Sequence, residues 1–150
     1  MTHAHDPDES RSTAAVSGSM RIGDVAERTG LSLRTIRYYE EAGLVTPSHR
    51  TTGGFRLYAE ADIERFELIK QMKPLGFSLE EMRALLHLLD ELASDVNDEA
   101  VSAALEGLAR FAEDAEARCA RLRGQLAIAV RFAEMLRQRS AQPRRTARGR

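Results

Sequence analysis

The chain has 150 residues, of which 43% are apolar, 30% charged and 5% aromatic, and its formal net charge is −1. That length favours one domain of ordinary size, and many charges with few aromatics favour helices over a β-sandwich. No apolar run approaches the ~18–20 residues of a membrane span, and no basic stretch followed by an apolar one opens the chain, so the expectation is a soluble, cytoplasmic protein with no membrane partner. Cys119 is the single cysteine, which excludes an intrachain disulfide and a multi-cysteine zinc site within one chain. The small total charge hides a pattern. Residues 20–58 carry six Lys/Arg against four Asp/Glu, residues 59–99 four against eleven, and residues 100–150 eleven against five. The chain has a basic head, an acidic middle and a basic end.

Residues 1–19 are small, polar and acidic, and are expected to be a disordered extension, with Met20 an alternative start. Residues 22–43 read as two short helices. Ile22, Val25 and Ala26 share one face; Gly30 suits a left-handed cap; Ser32 caps a second helix that turns Leu33, Ile36 and Tyr39–Glu40 along one side; Gly43 ends it. Residues 45–58 read as a small hairpin with Thr52-Gly53-Gly54 at its tip. A third helix is expected from Glu60 to about Met72, with Ile63, Phe66 and Ile69 as its apolar stripe, broken by Pro74 and Gly76. Ser78-Leu79-Glu80-Glu81 is a capping-box pattern opening a fourth helix with Met82, Leu85, Leu86 and Leu89 inward, followed by an acidic linker at 93–98.

The last helix is the longest. Steps of four and three residues from Val101 reach Leu105, Leu108, Ala112, Ala115, Cys119, Leu122, Leu126, Ala129, Ala133 and Leu136, and every one is apolar. A heptad seam sustained this far reads as a coiled coil. A helix of about 38 residues would run roughly 57 Å, too long for a chain of this size to cover alone, so the seam calls for a second copy. Gly107 and Gly124 lower local helix propensity by roughly 1 kcal/mol each, which burial of the seam has to outweigh. The residues after 139 read as a basic, disordered tail, leaving no stretch for a separate ligand-binding domain.

The segment from Ile22 to Leu44 meets the steric demands of a helix-turn-helix. Ala26 is small where the helices cross, Gly30 sits in the turn, and Ile36 and Tyr39 pack the second helix on the first. Arg34, Thr35, Arg37, Tyr38 and Glu41 then face outward. Arginine reads guanine edges or holds phosphates, and hydroxyls suit phosphate or base-edge contacts, with the second helix in the major groove.

Arg37-Tyr38-Tyr39-Glu40, then Gly43-Leu44, then Gly54-Phe55-Arg56-Leu57-Tyr58, then Leu75-Gly76-Phe77-Ser78-Leu79 follow one another in order. This series resembles the mercury-resistance-regulator (MerR) family over residues 21–89, while the terminal helix resembles it in kind only. The resemblance implies a mainly α fold: a winged helix-turn-helix head with a small β-hairpin wing, and a long C-terminal dimerisation coiled coil. The expected layout is an extension at 1–19, a DNA-binding head at 20–90, a linker at 91–99, a coiled coil at 100–139 and a tail at 140–150.

It further implies a homodimer paired antiparallel through its terminal helices. The dimer binds a pseudo-palindrome in double-stranded promoter DNA whose spacer is too long, and bends and untwists it for RNA polymerase. By position, Thr35, Arg37 and Tyr38 would touch DNA from the recognition helix, Arg50, Arg56 and Tyr58 from the first wing, and Lys70 and Lys73 near the second, where Pro74 departs from the family pattern. An ion pair with Glu40 or Asp62 is the competing role for Arg56. The dimer seam would comprise Leu105, Leu108, Ala112, Ala115, Cys119, Leu122, Leu126 and Ala129.

The cysteine patterns of the family's metal and redox sensors are missing, so Cys119 reads as a small seam residue, with an interchain thiol role as the alternative. His3 and His5 with Asp6 and Asp8, His49 and His87 make no metal-spaced cluster, and no cofactor is expected. His49, beside Arg50, would lie near DNA, and Arg144, Arg145, Arg148 and Arg150 would add either nonspecific DNA affinity or a plain solvated tail. No nucleophile pattern, HExxH or Gly-rich phosphate loop points to an enzyme. The competing reading is a nucleoid or recombination accessory protein with the same head.

Overall fold

The computed structural model describes residues 18–94 and 97–142. Expectations about residues 1–17, about Asp95 and Val96 in the linker, and about residues 143–150 of the tail lie outside the described residues. The chain divides between His87 and Leu88 into two compact units.

In the first unit, α1 (Ile22–Thr29) and α2 (Leu33–Glu41) form the helix pair. Gly30 sits at φ 70°, the left-handed region open to glycine, and its N–H donates to the Ala26 carbonyl at 2.9 Å, which ends α1. Two residues on, the Ser32 hydroxyl accepts from the Thr35 N–H at 3.1 Å and starts α2. The turn is short because one residue closes a helix and the next but one opens another. Val25, Ile36 and Tyr39 are buried between the helices. Leu33, expected on the same stripe as Ile36, is 41% exposed instead. It is the first residue of α2, at the open end of the helix, where periodicity continues but packing does not.

Three strands make one antiparallel sheet in the order β1 (Met20–Arg21), β3 (Arg56–Tyr58), β2 (His49–Arg50). The hairpin expected at 45–58 is β2 and β3, with His49 opposite Leu57 and Arg50 opposite Arg56. Strand β1 pairs Met20 with Tyr58 and Arg21 with Leu57, and nothing local announced it: two residues are too few to show alternation. At the hairpin tip, Thr51 accepts from Gly54 N–H at 2.8 Å and donates its own N–H to Phe55 O at 2.9 Å, while its hydroxyl accepts from Phe55 N–H at 3.1 Å.

Helix α3 (Glu60–Met72) follows, with Ile63, Phe66 and Ile69 buried as its stripe requires. A single 3₁₀ turn, Lys73–Leu75, carries Pro74, and Gly76 at φ 76° ends it. Helix α4 (Leu79–Ala93) opens with the expected capping box. Ser78 N–H donates to Glu81 Oε2 at 2.6 Å, and Glu81 N–H donates to the Ser78 hydroxyl at 3.2 Å. Met82 and Leu86 are buried, Leu85 is half-buried, and Leu89 is more exposed than its expected inward place.

In the second unit, Asn97 caps α5 (Asp98–Ala141) by accepting from Ala100 N–H at 2.9 Å. The helix has 44 residues, about 66 Å at 1.5 Å per residue. Ala104 and Gly107 are its buried residues. Gly107 lies so close to Leu88 that a Cβ there would stand 2.8 Å from a Leu88 methyl. The stripe covered within the chain therefore runs Ala100, Ala104, Gly107, Phe111, one residue behind the heptad seam.

Candidate nucleic-acid interface

Helix α2 buries Ile36 and Tyr39, and its 3.6-residue period turns Arg34, Arg37, Tyr38 and Glu41 outward. Arg34 and Arg37 are exposed and form no side-chain hydrogen bond or ion pair among the described residues. Tyr38 is half exposed, its ring 5.5 Å from that of Tyr39 at 53°. Thr35 is half-buried in the first turn, its hydroxyl 2.8 Å from that of Ser32. Glu41 adds a carboxylate to the end of this otherwise cationic face.

On the wing, Arg50 is exposed and donates from Nη1 to Gly54 O at 3.2 Å. Phe55, beside the tip, is 68% exposed, an apolar ring between two arginine-bearing strands that was not among the expected DNA-contacting residues. Arg56 lies with Nε 2.9 Å from Glu40 Oε2; the Arg56 side chain is 38% exposed and the Glu40 side chain 6%. Of the two carboxylates considered for Arg56, Glu40 is the partner. Tyr58 is fully buried and donates its hydroxyl to Glu40 Oε1. Burial, then the bond to Glu40, pushes the Tyr58 phenol pKa well up. Tyr58 thus turns its hydroxyl into the head rather than out of it.

Lys70 is also engaged: its ammonium donates to the Thr29 carbonyl, at the C-terminal end of α1, and to Glu67 Oε2 at 3.1 Å. Arg83 does the same for α2, donating from Nη2 to Ala42 O at 2.6 Å. Each is a cation at a helix C-terminus, where the last carbonyls lack intrahelical partners. Both come from 41 residues along the chain, so no local pattern revealed them. Lys73 is exposed at the start of the 3₁₀ turn.

Asp62, expected only as an alternative partner of Arg56, has another role. It is buried, and its Oδ2 accepts from Ser48 N–H at 3.2 Å, Ser48 Oγ at 2.7 Å and Ala59 N–H at 2.8 Å. One carboxylate starts α3 and pins the strand leading into the wing. The signal was present as an acid in the first turn of a helix, but only the fold brings Ser48 to it. Arg28 and Glu60 form a two-pronged pair at 2.6 Å on the surface, which holds the Glu60 carboxyl below its usual range.

Along α5, Leu105, Leu122, Leu126 and Leu136 of the seam are exposed, as are Ala112 and Ala129, while Leu108, Ala115 and Cys119 are half-buried. Among the described residues there is no group of three His, Cys, Asp or Glu placed to hold a metal ion, and no helix long and apolar enough to cross a membrane.

Two family profiles match the chain: MerR HTH family regulatory protein over residues 20–89, and MerR, DNA binding, over residues 63–128. The chain is 49% identical over 69 residues to the HTH-type transcriptional regulator CueR of Yersinia pestis, covering 46% of this chain and 50% of that one. It is 44% identical over 82 residues to the HTH-type transcriptional regulator HmrR of Rhizobium leguminosarum bv. viciae, covering 53% and 63%. The chain thus spans about half to under two thirds of the length of these curated relatives. Among solved structures, HiNmlR, a MerR family regulator lacking the sensor domain and bound to promoter DNA, matches with a TM-score of 0.64 over 82% of this chain and 94% of that one. Its identity of 20% speaks to the fold alone. The elements, their order and the two overlapping profiles agree: the chain belongs to the MerR family of helix-turn-helix regulatory proteins.

Proposed function

We propose that this chain is a homodimeric, sequence-specific DNA-binding transcription regulator acting at promoters in the cytoplasm. The observation that carries the reading is the outer face of α2, where Arg34 and Arg37 stand exposed and uncommitted beside Tyr38. Unpaired arginines on the second helix of a helix-turn-helix are placed to enter a major groove. Thr35 joins them in the first turn, and Arg50, Arg56 and Lys73 add phosphate contacts from the flanks. Tyr58 and Lys70 serve the interface from behind, one holding the wing and the other the end of α1. The names of the relatives, HTH-type transcriptional regulators at 43–49% identity over the head, support the same assignment.

Self-pairing is supported by α5. Its exposed leucines would be left in water by a lone chain. Its charge is also divided: residues 98–116 carry six acids and one arginine, and residues 117–141 carry six arginines and one acid. Two copies running antiparallel bring each acidic half against a basic half, whereas parallel copies would set like against like. Leu105, Leu108, Ala112, Ala115, Cys119, Leu122, Leu126 and Ala129 form the proposed seam.

A dimer of two such heads would grip a pseudo-palindrome and distort the spacer between promoter elements, at a deformation cost of order 1–6 kcal/mol drawn from phosphate contacts. RNA polymerase is the proposed beneficiary. Footprinting of the purified chain across a bacterial genome, with the spacer length read at each bound promoter, tests this. Sites centred in promoters with longer than usual spacers support it. Binding without sequence preference would replace it with an architectural or recombination accessory role.

A further inference from the structure

We infer that Glu40 is the positioning residue of this interface: its buried carboxylate, carried by α2, holds Arg56 of the wing so that helix and wing meet DNA as one rigid body. The inference rests on the DNA-binding reading above and adds to it the part that sets the wing's place.

Residues two apart on a strand share a face, so Arg56 and Tyr58 project together from β3 while Leu57 projects oppositely. Glu40 meets both. Its Oε1 accepts the Tyr58 hydroxyl, and its Oε2 faces Arg56 Nε at 2.9 Å. A carboxylate with a side chain only 6% exposed is strongly disfavoured unless partnered, and no hydrogen bond reaches Oε2 among the described residues. The hold on Oε2 is therefore the charge of Arg56. Only Nε is engaged. The terminal guanidinium nitrogens make no hydrogen bond among the described residues, and the side chain is 38% exposed. An arginine held by Nε with its fork free is set to receive a phosphate. Glu40 adjoins Tyr39, which is anchored in the core, so the backbone that carries the carboxylate is held in place with α2.

The test uses the full chain and a duplex selected by the wild-type chain from a pool of random sequence. Glu40→Gln keeps the size and still accepts the Tyr58 hydroxyl, but removes the charge. Expected are an unchanged helical signal, a loss of affinity of roughly tenfold, and a fall of about one in the slope of log K against log salt, as for one lost phosphate contact. Arg56→Gln should do the same, and the double variant should bind no worse than Arg56→Gln alone. Without DNA, ¹⁵N relaxation should show residues 51–57 gaining motion in Glu40→Gln while α2 stays rigid. If Glu40→Gln does not fold, Glu40→Asp, which withdraws the charge by one methylene, should show the same slope loss. An unchanged slope, losses that add to those of Arg56→Gln, tighter binding, or an unchanged wing would each overturn the inference. If no duplex is selected, the DNA-binding reading fails, and the wing relaxation still judges Glu40.

Discussion

Gly107 and Gly124 occupy the same helix, and replacing each with alanine should have opposite effects. In a helix interior, alanine is favoured over glycine by about 1 kcal/mol. At Gly124 a Cβ meets nothing within 4 Å, so Gly124→Ala should gain about that full amount, a rise of roughly 2–4 °C in midpoint for a chain of this size. At Gly107 a Cβ would lie 2.8 and 2.9 Å from the Leu88 methyls and 3.5 Å from its Cγ. Leu88 must swing away or the helices must part, and overpacking of this kind costs about 1–3 kcal/mol. The helical gain offsets the low end of that range, so Gly107→Ala should be neutral to about 2 kcal/mol destabilising. In a Leu88→Ala background the obstacle is gone, and Gly107→Ala should then gain about 1 kcal/mol like its counterpart. Urea unfolding followed by circular dichroism, at one fixed chain concentration because the proposed self-association would add to stability, reads all four values. If Gly107→Ala stabilises as much as Gly124→Ala with Leu88 in place, the close approach of Leu88 to α5 is wrong.

Asp62→Ala strands two backbone N–H groups and the Ser48 hydroxyl in a part-buried setting. A loss of about 2–4 kcal/mol is expected by denaturant titration, and a change below 0.5 kcal/mol would remove the carboxylate from its central place. Tyr58 has a raised pKa, so its contribution is intact below the unfolded value near 10 and is lost as pH climbs towards the folded one. Stability should therefore decline from about pH 10 upward, and Tyr58→Phe should flatten that decline; an unaltered slope would contradict the burial of the hydroxyl. Glu60, held low by Arg28, works in the opposite sense, its small and solvent-screened contribution fading as acid is added, which Glu60→Gln should abolish. Reversing Arg131, Arg137 and Arg139 to glutamate should weaken self-association in sedimentation, and reversing Glu99, Glu106 and Glu113 to lysine in a differently tagged copy should restore pairing between the two. Equal association of all combinations would dismiss the charge-matched antiparallel arrangement.

Most of the head was legible because its stops are chemical. Gly30, Ser32, Gly43, Gly76 and the Ser78–Glu81 box each have a backbone reason to stand where they do, and each is found ending or opening a helix. The site was legible in part for the same reason: Arg34, Arg37 and Tyr38 follow from the period of α2 once Ile36 and Tyr39 are placed inside. What stayed hidden depends on residues distant in sequence. Lys70 and Arg83 look like surface cations until α1 and α2 are seen to end beneath them. Tyr58 carries a hydroxyl of the kind that meets phosphates, and only the neighbouring Glu40 turns it inward. Strand β1 exists only because β3 offers an edge to pair with.

The long helix shows why periodicity alone names a stripe and not its occupant. Two apolar stripes run along α5, one residue apart and so about 100° around the axis. Heptad counting picks out the one with leucines, Leu105 to Leu136, because leucine dominates any apolar score. The other, Ala100, Ala104 and Gly107, is made of residues that score weakly, yet Ala104 and Gly107 are the residues of α5 buried within the chain. Small side chains let a neighbouring leucine come close; large ones fill space that something else must supply. The division follows from size: the small-residue stripe admits Leu88 at Gly107, and the leucine stripe stands open along a helix too long for its own chain to cover. A second copy, with its charges reversed end for end, is the partner that would satisfy both the length and the sign of that open face.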